Sequence, residues 1–261
     1  MGAPHLTQSL SEKVADGSTL LIAYLMAGTD DNWLDTVEAV IEAGVDAVEI
    51  GLPFSDPIID GAVIQAAGVK SLERGTTAIS ALAQLARRDF SVPLVAMTYY
   101  NVIAHLGHER FAGAAVDAGI SGAIVPDLSL EELGPWADVA DSSGIDTVLL
   151  VAPSTPPERT ALLCERSRGF VYAVARMGVT GEQSVLGNEA GEVVAKIREH
   201  RSPPVCVGIG VSTPDQAVQV ASVADGVIVG SALVRRLLEG EGPEGAGRFI
   251  ASLRQAIDAS S

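Results

Sequence analysis

The stretch VCVGIGVSTPDQAVQVASVADGVIVGSA, residues 205–232, contains one unit of the repeat that decides the fold. Val205–Val207 and Gly226–Val229 are short apolar runs without polar alternation, as in strands that are buried on both faces. Between them, Ser212-Thr213-Pro214 supplies a capping hydroxyl and a proline, which together favour the start of a helix. A strand, a helix and a second strand in this order predict a right-handed crossover and a parallel sheet.

The same unit recurs along the whole chain. Eight apolar runs, each followed by turn residues and a helical pattern, favour a closed (β/α)₈ TIM barrel, with an open doubly wound sheet as the alternative. No break in composition divides the chain, so residues 1–261 are predicted to form a single domain. The predicted strands are Thr19–Leu25, Ala47–Ile50, Val92–Met97, Gly122–Val125, Thr147–Val151, Gly169–Val174, Val205–Val207 and Gly226–Val229, and the predicted helices include Trp33–Ala43, Thr77–Arg87, Leu130–Ser142, Pro157–Ser167 and Glu189–His200.

An extra helix is predicted before the first strand. Leu6, Leu10 and Val14 recur every four residues and therefore fall on one face of a helix. This apolar face precedes the first strand directly, so we expect the N-terminal helix to plug the floor of the barrel.

The composition excludes several classes of function. The net charge of −16 repels nucleic acids and anionic membranes, so neither is an expected partner. Two cysteines, no apolar run long enough to span a membrane and no visible secretory signal predict a cytoplasmic protein. The four histidines do not have the spacing of metal ligands, so no metal site is expected.

One carboxylate interrupts the second predicted strand, AVEIG at residues 47–51. Burying an ionised Glu49 without a partner is costly, so this residue is paired, neutral or retained for function. The alternative, equally supported by the sequence, is a Glu49 side chain that points to solvent at the strand end. The position matters because active sites of TIM barrels lie at the carboxyl ends of the strands.

The next loop, LPFSDPIIDG at residues 52–61, carries two more carboxylates. Asp56 precedes a proline, and ordinary turn formation explains it well. A turn explains Asp60 less well, because Asp60 shares the predicted barrel mouth with Glu49. Two carboxylates at one mouth can divide acid and base chemistry if their surroundings separate their pKa values.

The ends of the sixth, seventh and eighth predicted strands are rich in glycine, in the segments Gly178–Gly181, Gly208–Ser212 and Gly226–Ala232. Barrels commonly bind phosphate after the last two strands, through backbone N–H groups and a helix N-terminus. Glycine permits the close approach of the backbone that such a site requires. A phosphorylated substrate is therefore predicted, and the alternative is that these glycines only turn each strand into its helix.

These residues also carry a family resemblance. The segment EIGLPFSDPIIDG, residues 49–61, closely resembles the signature of tryptophan synthase alpha chains. The resemblance covers nearly the whole chain and implies a TIM barrel that cleaves indole-3-glycerol phosphate to indole and glyceraldehyde 3-phosphate. Further segments match in order and spacing, namely Met97–Asn101, Pro126–Leu128, Ala152–Thr155, Gly169–Tyr172, Gly178–Gly181 and Gly230–Ala232.

The resemblance implies a role for each matching residue. Glu49 matches the general acid–base of the family, and Asp60 matches the carboxylate that accepts the indole N–H. Tyr172 matches a tyrosine beside the catalytic glutamate. Thr180 matches a residue whose loop closes over bound substrate and orients the carboxylate at the position of Asp60. The matching substrate-binding positions are Tyr24 and Tyr99 in the indole pocket and Gly181, Gly210, Gly230 and Ser231 around the phosphate, with Ile209 between these two parts of the site.

The resemblance also implies a partner. Members of the family bind a beta chain, in an α₂β₂ heterotetramer, and pyridoxal phosphate is expected only in that beta chain, so no cofactor is expected here. The positions that match the surface facing the beta chain are Pro53, Asp56, Pro57 and Asn101.

Several residues depart from the common pattern of the family. Ile209 replaces a common phenylalanine, Ala175 a frequent serine, and Ala62 and Ser129 each a usual proline. The altered positions keep two alternatives open, a stand-alone lyase that releases free indole and a barrel that mainly activates a beta chain. Intact Glu49 and Asp60 argue against the second.

Overall fold

Eight parallel strands form a closed barrel, each hydrogen-bonded to its neighbours in chain order. This computed structural model describes residues 4–175, 189–200, 203–208 and 210–260. The first and last strands pair, so the barrel is confirmed and the doubly wound alternative is wrong. The strands are β1 (Leu20–Met26), β2 (Ala47–Gly51), β3 (Leu94–Met97), β4 (Ile120–Ile124), β5 (Asp146–Val151), β6 (Val171–Val174), β7 (Val205–Gly208) and β8 (Gly226–Val229).

Helices surround this barrel. The helix predicted from Leu130 begins later, at Gly134, because Pro135 lacks an N–H and fits only the first turn of a helix. None of the helices within the described ranges is long and apolar enough to cross a membrane. They are α1 (Leu6–Ala15), α2 (Trp33–Glu42), α3 (Ala62–Glu73), α4 (Ala78–Leu85), α5 (Tyr100–Leu106), α6 (His108–Asp117), α7 (Gly134–Ser142), α8 (Pro157–Arg166), α9 (Glu189–Arg198), α10 (Pro214–Ala221), α11 (Ser231–Leu238) and α12 (Gly242–Ser260).

Alternate residues of each strand face opposite sides, and this separates two layers of core. Ala23 and Val48 belong to the large outer cluster, where the strands pack against the helices. Ile22 and Ala47, each one residue earlier, belong to a smaller cluster inside the barrel. Tyr24 and Glu49 are two residues further along the same strands, so their side chains also point into the barrel, closer to its mouth.

Helix α1 closes the opposite end of the barrel, as predicted. Leu6 and Leu10 are both fully buried and belong to the cluster inside the barrel. The backbone N–H and the hydroxyl of Thr7 both donate to the carboxylate of Asp146, at 2.8 and 2.7 Å. The floor is therefore closed by α1, and Glu49 and Tyr24 lie toward the other end of the barrel.

Candidate active site

Glu49 lies inside the barrel near its mouth. Its Cα is in register with those of Tyr24 on β1 and Val95 on β3. The Glu49 side chain is 0% exposed, and neither carboxyl oxygen has a hydrogen-bond partner among the described residues. The alternative in which Glu49 points to solvent is therefore wrong.

Burial determines the protonation state of Glu49. Loss of hydration destabilises the charged carboxylate and raises the pKa of Glu49 from 4.5 to about 8. The carboxyl group is therefore largely protonated at neutral pH, where most carboxyls in proteins are ionised. An acid of this kind can donate a proton and can then accept one back as a base.

Asp60 ends the loop after β2, and Tyr99 holds this loop in place. The Tyr99 hydroxyl accepts a hydrogen bond from the backbone N–H of Ile59 at 3.0 Å. The Tyr99 ring stacks on Phe54, with 5.0 Å between the ring centroids. Partial burial raises the pKa of Asp60, and a hydrogen bond from the Tyr99 side chain opposes that rise by stabilising the carboxylate. The surroundings therefore favour an ionised Asp60 more than an ionised Glu49.

An apolar pocket at the mouth brings Tyr24, Asp60 and Tyr99 together. Flat and aliphatic side chains surround one carboxylate, an arrangement that fits an aromatic ring with an N–H donor. Sequence reasoning missed Met26 and Met97 in this wall, although alternation along β1 places Met26 on the same side as Tyr24. The complete lining is Tyr24, Met26, Leu52, Phe54, Pro57, Asp60, Ile64, Gly68, Met97, Thr98, Tyr99 and Pro126.

Tyr172 on β6 extends toward Gly208 on the adjacent strand β7. A side chain at Gly208 would meet the Tyr172 hydroxyl and its ring, with carbon Cε1 at 2.7 Å, so the ring occupies the space that this glycine leaves. Burial first, and the negative charge of Glu49 second, raise the pKa of Tyr172 well above its ordinary value. Tyr172 therefore lies close enough to Glu49 to sense its charge and stays neutral at physiological pH.

The predicted phosphate region lies around the N-terminus of α11. Gly230 is the residue that precedes this helix, and Ser231 is its first residue. Gly210 adopts a φ of +82°, a conformation that side chains disfavour, and it lines one surface pocket with Ser231. Backbone N–H groups and a hydroxyl at a helix N-terminus suit an anion.

Sequence reasoning missed Arg235, which lines the same pocket as Gly210 and Ser231. Arg235 is exposed, one turn after Ser231 on the same face of α11. The spacing of four residues could have identified it. Its positive charge is favourable for an anionic ligand, in a chain with a net charge of −16.

Three of the predicted substrate-binding residues are outside the described ranges. These are Thr180, Gly181 and Ile209. Within the described ranges, no three His, Cys, Asp or Glu residues are grouped so that they could hold a metal ion.

The loop that carries Asp60 also forms exposed surface. Asp56 and Asn101 are exposed and Pro57 is partly exposed, whereas Pro53 is buried and offers little surface for direct contact. Ile58 is 84% exposed and Ile59 50% exposed, which is unusual for large aliphatic side chains. A groove beside the loop is lined by Pro53, Phe54, Ser55, Leu72, Thr76, Thr77, Ala78, Ile79, Asn101, Val102, His105 and Leu106.

Comparisons with known proteins agree on one family. The family model described as tryptophan synthase alpha chain matches residues 10–257. A tryptophan synthase alpha chain from Prochlorococcus marinus (strain MIT 9313) is 44% identical over 252 residues, which cover 93% of this chain and 91% of the relative. The alpha chain from Bifidobacterium longum (strain NCC 2705) is 46% identical over 229 residues, covering 86% and 78% of the two chains.

Solved structures give the same result. A crystal structure of tryptophan synthase subunit alpha from Legionella pneumophila str. Paris has a TM-score of 0.87 and 30% identity, and covers 98% of this chain and 100% of that one. A structure of Mycobacterium tuberculosis tryptophan synthase has a TM-score of 0.88 and 37% identity, with 98% of both chains covered.

Proposed function

Because the chain belongs to the tryptophan synthase alpha chain family, we propose that Glu49 and Asp60 carry out the lyase reaction of that family. The chain acts as an alpha subunit in tryptophan biosynthesis and cleaves indole-3-glycerol phosphate to indole and glyceraldehyde 3-phosphate. One observation carries the residue assignment. Glu49 is a fully buried acid with a pKa of about 8, beside an apolar pocket that contains Asp60.

The first step is the transfer of the Glu49 proton to carbon C3 of the indole ring. A carbon atom is a weak base, so the donor must still hold its proton at neutral pH, and burial of Glu49 meets this requirement. Proton transfer leaves a positive charge on the indole nitrogen and a negative charge on Glu49.

Asp60 stabilises the positive charge that this step creates. The Tyr99 hydrogen bond favours its ionised form, and the carboxylate accepts the indole N–H. A fixed negative charge in a pocket of low polarity lowers the energy of the cation more than water would, because the carboxylate does not have to reorient.

The second step is cleavage of the carbon–carbon bond. Ionised Glu49 takes the proton of the glycerol hydroxyl next to the ring, and the electrons of the broken bond return to the ring and neutralise the nitrogen. Indole and an aldehyde are formed, and Glu49 regains its proton. The protein thereby returns to its starting state without a cofactor of its own, and pyridoxal phosphate is assigned to the beta chain.

The phosphate end of the substrate binds at the N-terminus of α11. Backbone N–H groups near Gly210 and Gly230 and the Ser231 hydroxyl are the proposed donors, with Gly181 and Ile209 contributing from segments outside the described ranges. A Cβ at Gly230 would lie 3.4 Å from the Cβ of Tyr24, so the phosphate region adjoins the indole pocket.

Gly230→Leu is expected to weaken binding of glycerol 3-phosphate by about tenfold or more, because one charge-assisted hydrogen bond contributes about 1.5–3 kcal/mol. Binding of free indole should change much less. Calorimetric titration of both ligands measures the difference. Gly113→Leu is the control, since a Cβ at Gly113 on α6 enters open space. Equal losses for the two ligands would contradict the phosphate assignment.

Indole release from indole-3-glycerol phosphate, with and without a beta chain, tests the function directly. An alpha subunit cleaves slowly alone and faster with the beta chain. A stand-alone lyase is equally fast in both conditions, and a barrel that mainly activates a beta chain releases little indole in either.

We assign the beta-chain interface to the loop that holds Asp60. Asp56 and Pro57 supply exposed polar and apolar surface there, and Ile58 adds a large exposed aliphatic group. The exposed Asn101, on α5, lines the groove beside this loop. Interface and active site share this loop, so contact with the beta chain favours the loop conformation that places Asp60 in the pocket. The expected assembly is an α₂β₂ heterotetramer in the cytoplasm.

Glycerol 3-phosphate is expected to tighten binding of the beta chain. If the beta chain raises affinity for the phosphate ligand, the ligand must raise affinity for the beta chain by the same factor. Couplings of this kind are typically about 5–150-fold. Calorimetry with the beta chain of the same organism, with and without the ligand, measures both directions. Absence of a complex in both conditions would favour the stand-alone lyase.

A further inference from the structure

Tyr24 and Glu49 are side by side on adjacent parallel strands. Their Cα atoms are in register, and both side chains point into the barrel. Tyr24 is 6% exposed and Glu49 0% exposed. Their closeness also appears in their electrostatics, since the charge of Glu49 is among the causes that raise the pKa of Tyr24.

Gly51 has no side chain, and the Tyr24 ring occupies the space that this leaves. Gly51 is two residues after Glu49 on β2, so a Cβ there would point into the barrel directly on the mouth side of Glu49. That Cβ would meet the Tyr24 hydroxyl, with ring carbons Cζ at 2.6 Å and Cε2 at 3.0 Å. The outer end of the ring therefore occupies the part of the space on the mouth side of Glu49 that lies next to Gly51.

Exclusion of water is what keeps Glu49 protonated. Among the described residues, the titratable groups that sense its charge are Tyr24 on β1, Tyr172 on β6 and Cys206 on β7, and burial keeps all three neutral. The loop carboxylate of Asp60 acts on Tyr24, whose pKa its charge raises. On the other strands the inward residues near this level are apolar, namely Val95, Ile124, Val148, Leu150 and Ile228.

We propose that Tyr24 is a positioning residue whose ring, accommodated at Gly51, covers Glu49 and shields the carboxyl group from water. The ring, rather than its hydroxyl, performs this task, because neither Glu49 oxygen has a hydrogen-bond partner among the described residues. Shielding by Tyr24 extends the proposed role of Glu49 as the catalytic acid. An effect of Tyr24 on turnover rests on that proposed role, whereas an effect on the pKa of Glu49 does not.

The protonation state of Glu49 can be measured without substrate. Infrared titration follows the absorption of the protonated carboxyl group, and loss of this band in Glu49→Gln assigns it. Tyr24→Ala and Tyr24→Leu remove the cover to different extents, whereas Tyr24→Phe keeps the ring. Ile22→Ala is the matched control, because it removes interior volume from the same strand one layer below, beside Ala47.

Tyr24→Ala is expected to lower the pKa of Glu49 by about one unit or more, since desolvation can shift a fully buried carboxyl by about 3–5 units. Tyr24→Leu should shift it in the same direction. Tyr24→Phe and Ile22→Ala should leave it close to the parent value of about 8. If Tyr24→Ala does not fold, Tyr24→Leu decides.

Two results would overturn the proposal. An unchanged titration in the folded Ala or Leu variant would mean that the ring does not shield Glu49. A drop in Tyr24→Phe as large as in Tyr24→Leu would assign the effect to the hydroxyl. Neither depends on indole release, so a failed cleavage assay would contradict the proposed function without bearing on this inference.

Discussion

Glu49→Gln is expected to lower indole release by about 100-fold or more, because general acid–base groups typically contribute 10²–10⁴-fold. The amide has nearly the same shape as the protonated carboxyl group, so it fits the same buried site, but its N–H protons are far too weakly acidic to be transferred to a carbon atom. Steady-state assays of indole formation measure the loss. A variant that retains more than about a hundredth of the activity would place the catalytic acid elsewhere.

The stability of Glu49→Gln provides the control. Burial raises the pKa of Glu49 from 4.5 to about 8, so the folded parent binds a proton that the unfolded chain releases. The contribution of Glu49 to stability is therefore fully present below pH 4.5 and decreases as the pH rises to about 8. The amide lacks this dependence, so above this range the variant should be no less stable than the parent. A variant that unfolds there would make the activity loss uninformative about proton transfer.

Asp60→Asn is expected to lower turnover by about 10²–10³-fold, the range found when one preorganised electrostatic group is removed from an active site. The variant keeps the shape of Asp60 but loses the negative charge that stabilises the indole cation. Affinity for glycerol 3-phosphate should stay close to that of the parent, since the phosphate binds at α11. Turnover and calorimetric binding together measure the two effects.

Asp138→Asn is the matched control for Asp60→Asn. Asp138 is an exposed residue of α7, so its replacement changes the net charge equally but far from the pocket. An equal loss of phosphate affinity in Asp60→Asn would contradict a role at the indole nitrogen. Normal turnover in Asp60→Asn would remove Asp60 from the mechanism.

The barrel could be predicted from the sequence because the patterns that indicate its strands and helices are local and recur in each unit. Each unit carries its own strand and helix, and in the described units only the ends differ, as at Gly134, where Pro135 fixes the start of α7. The floor was also predictable, since the spacing of Leu6 and Leu10 on one helix face needs no knowledge of other elements.

The position of the site could be predicted from the sequence, but the burial and the contacts of its side chains could not. Sequence alone left Glu49 equally compatible with burial and exposure, because its burial depends on strands distant in the sequence, β1 and β3, which pair on either side of it. The hydrogen bond from Ile59 to Tyr99 joins residues 40 positions apart, and no local pattern signals it. Burial of Pro53 was missed for the same reason, since the groove beside it includes residues of α3, α4 and α5.

The most direct test of the account is the pH dependence of kcat/KM for cleavage of indole-3-glycerol phosphate, which reports the ionisation of the free protein and free substrate. The account requires protonated Glu49, so kcat/KM should fall as the pH rises through about 8. The phosphate group of the substrate titrates near pH ~6, so it does not cause the fall of kcat/KM above neutral pH. A kcat/KM that stays constant or rises between about pH 7 and pH 9 would contradict the claim that a buried, protonated Glu49 starts the reaction.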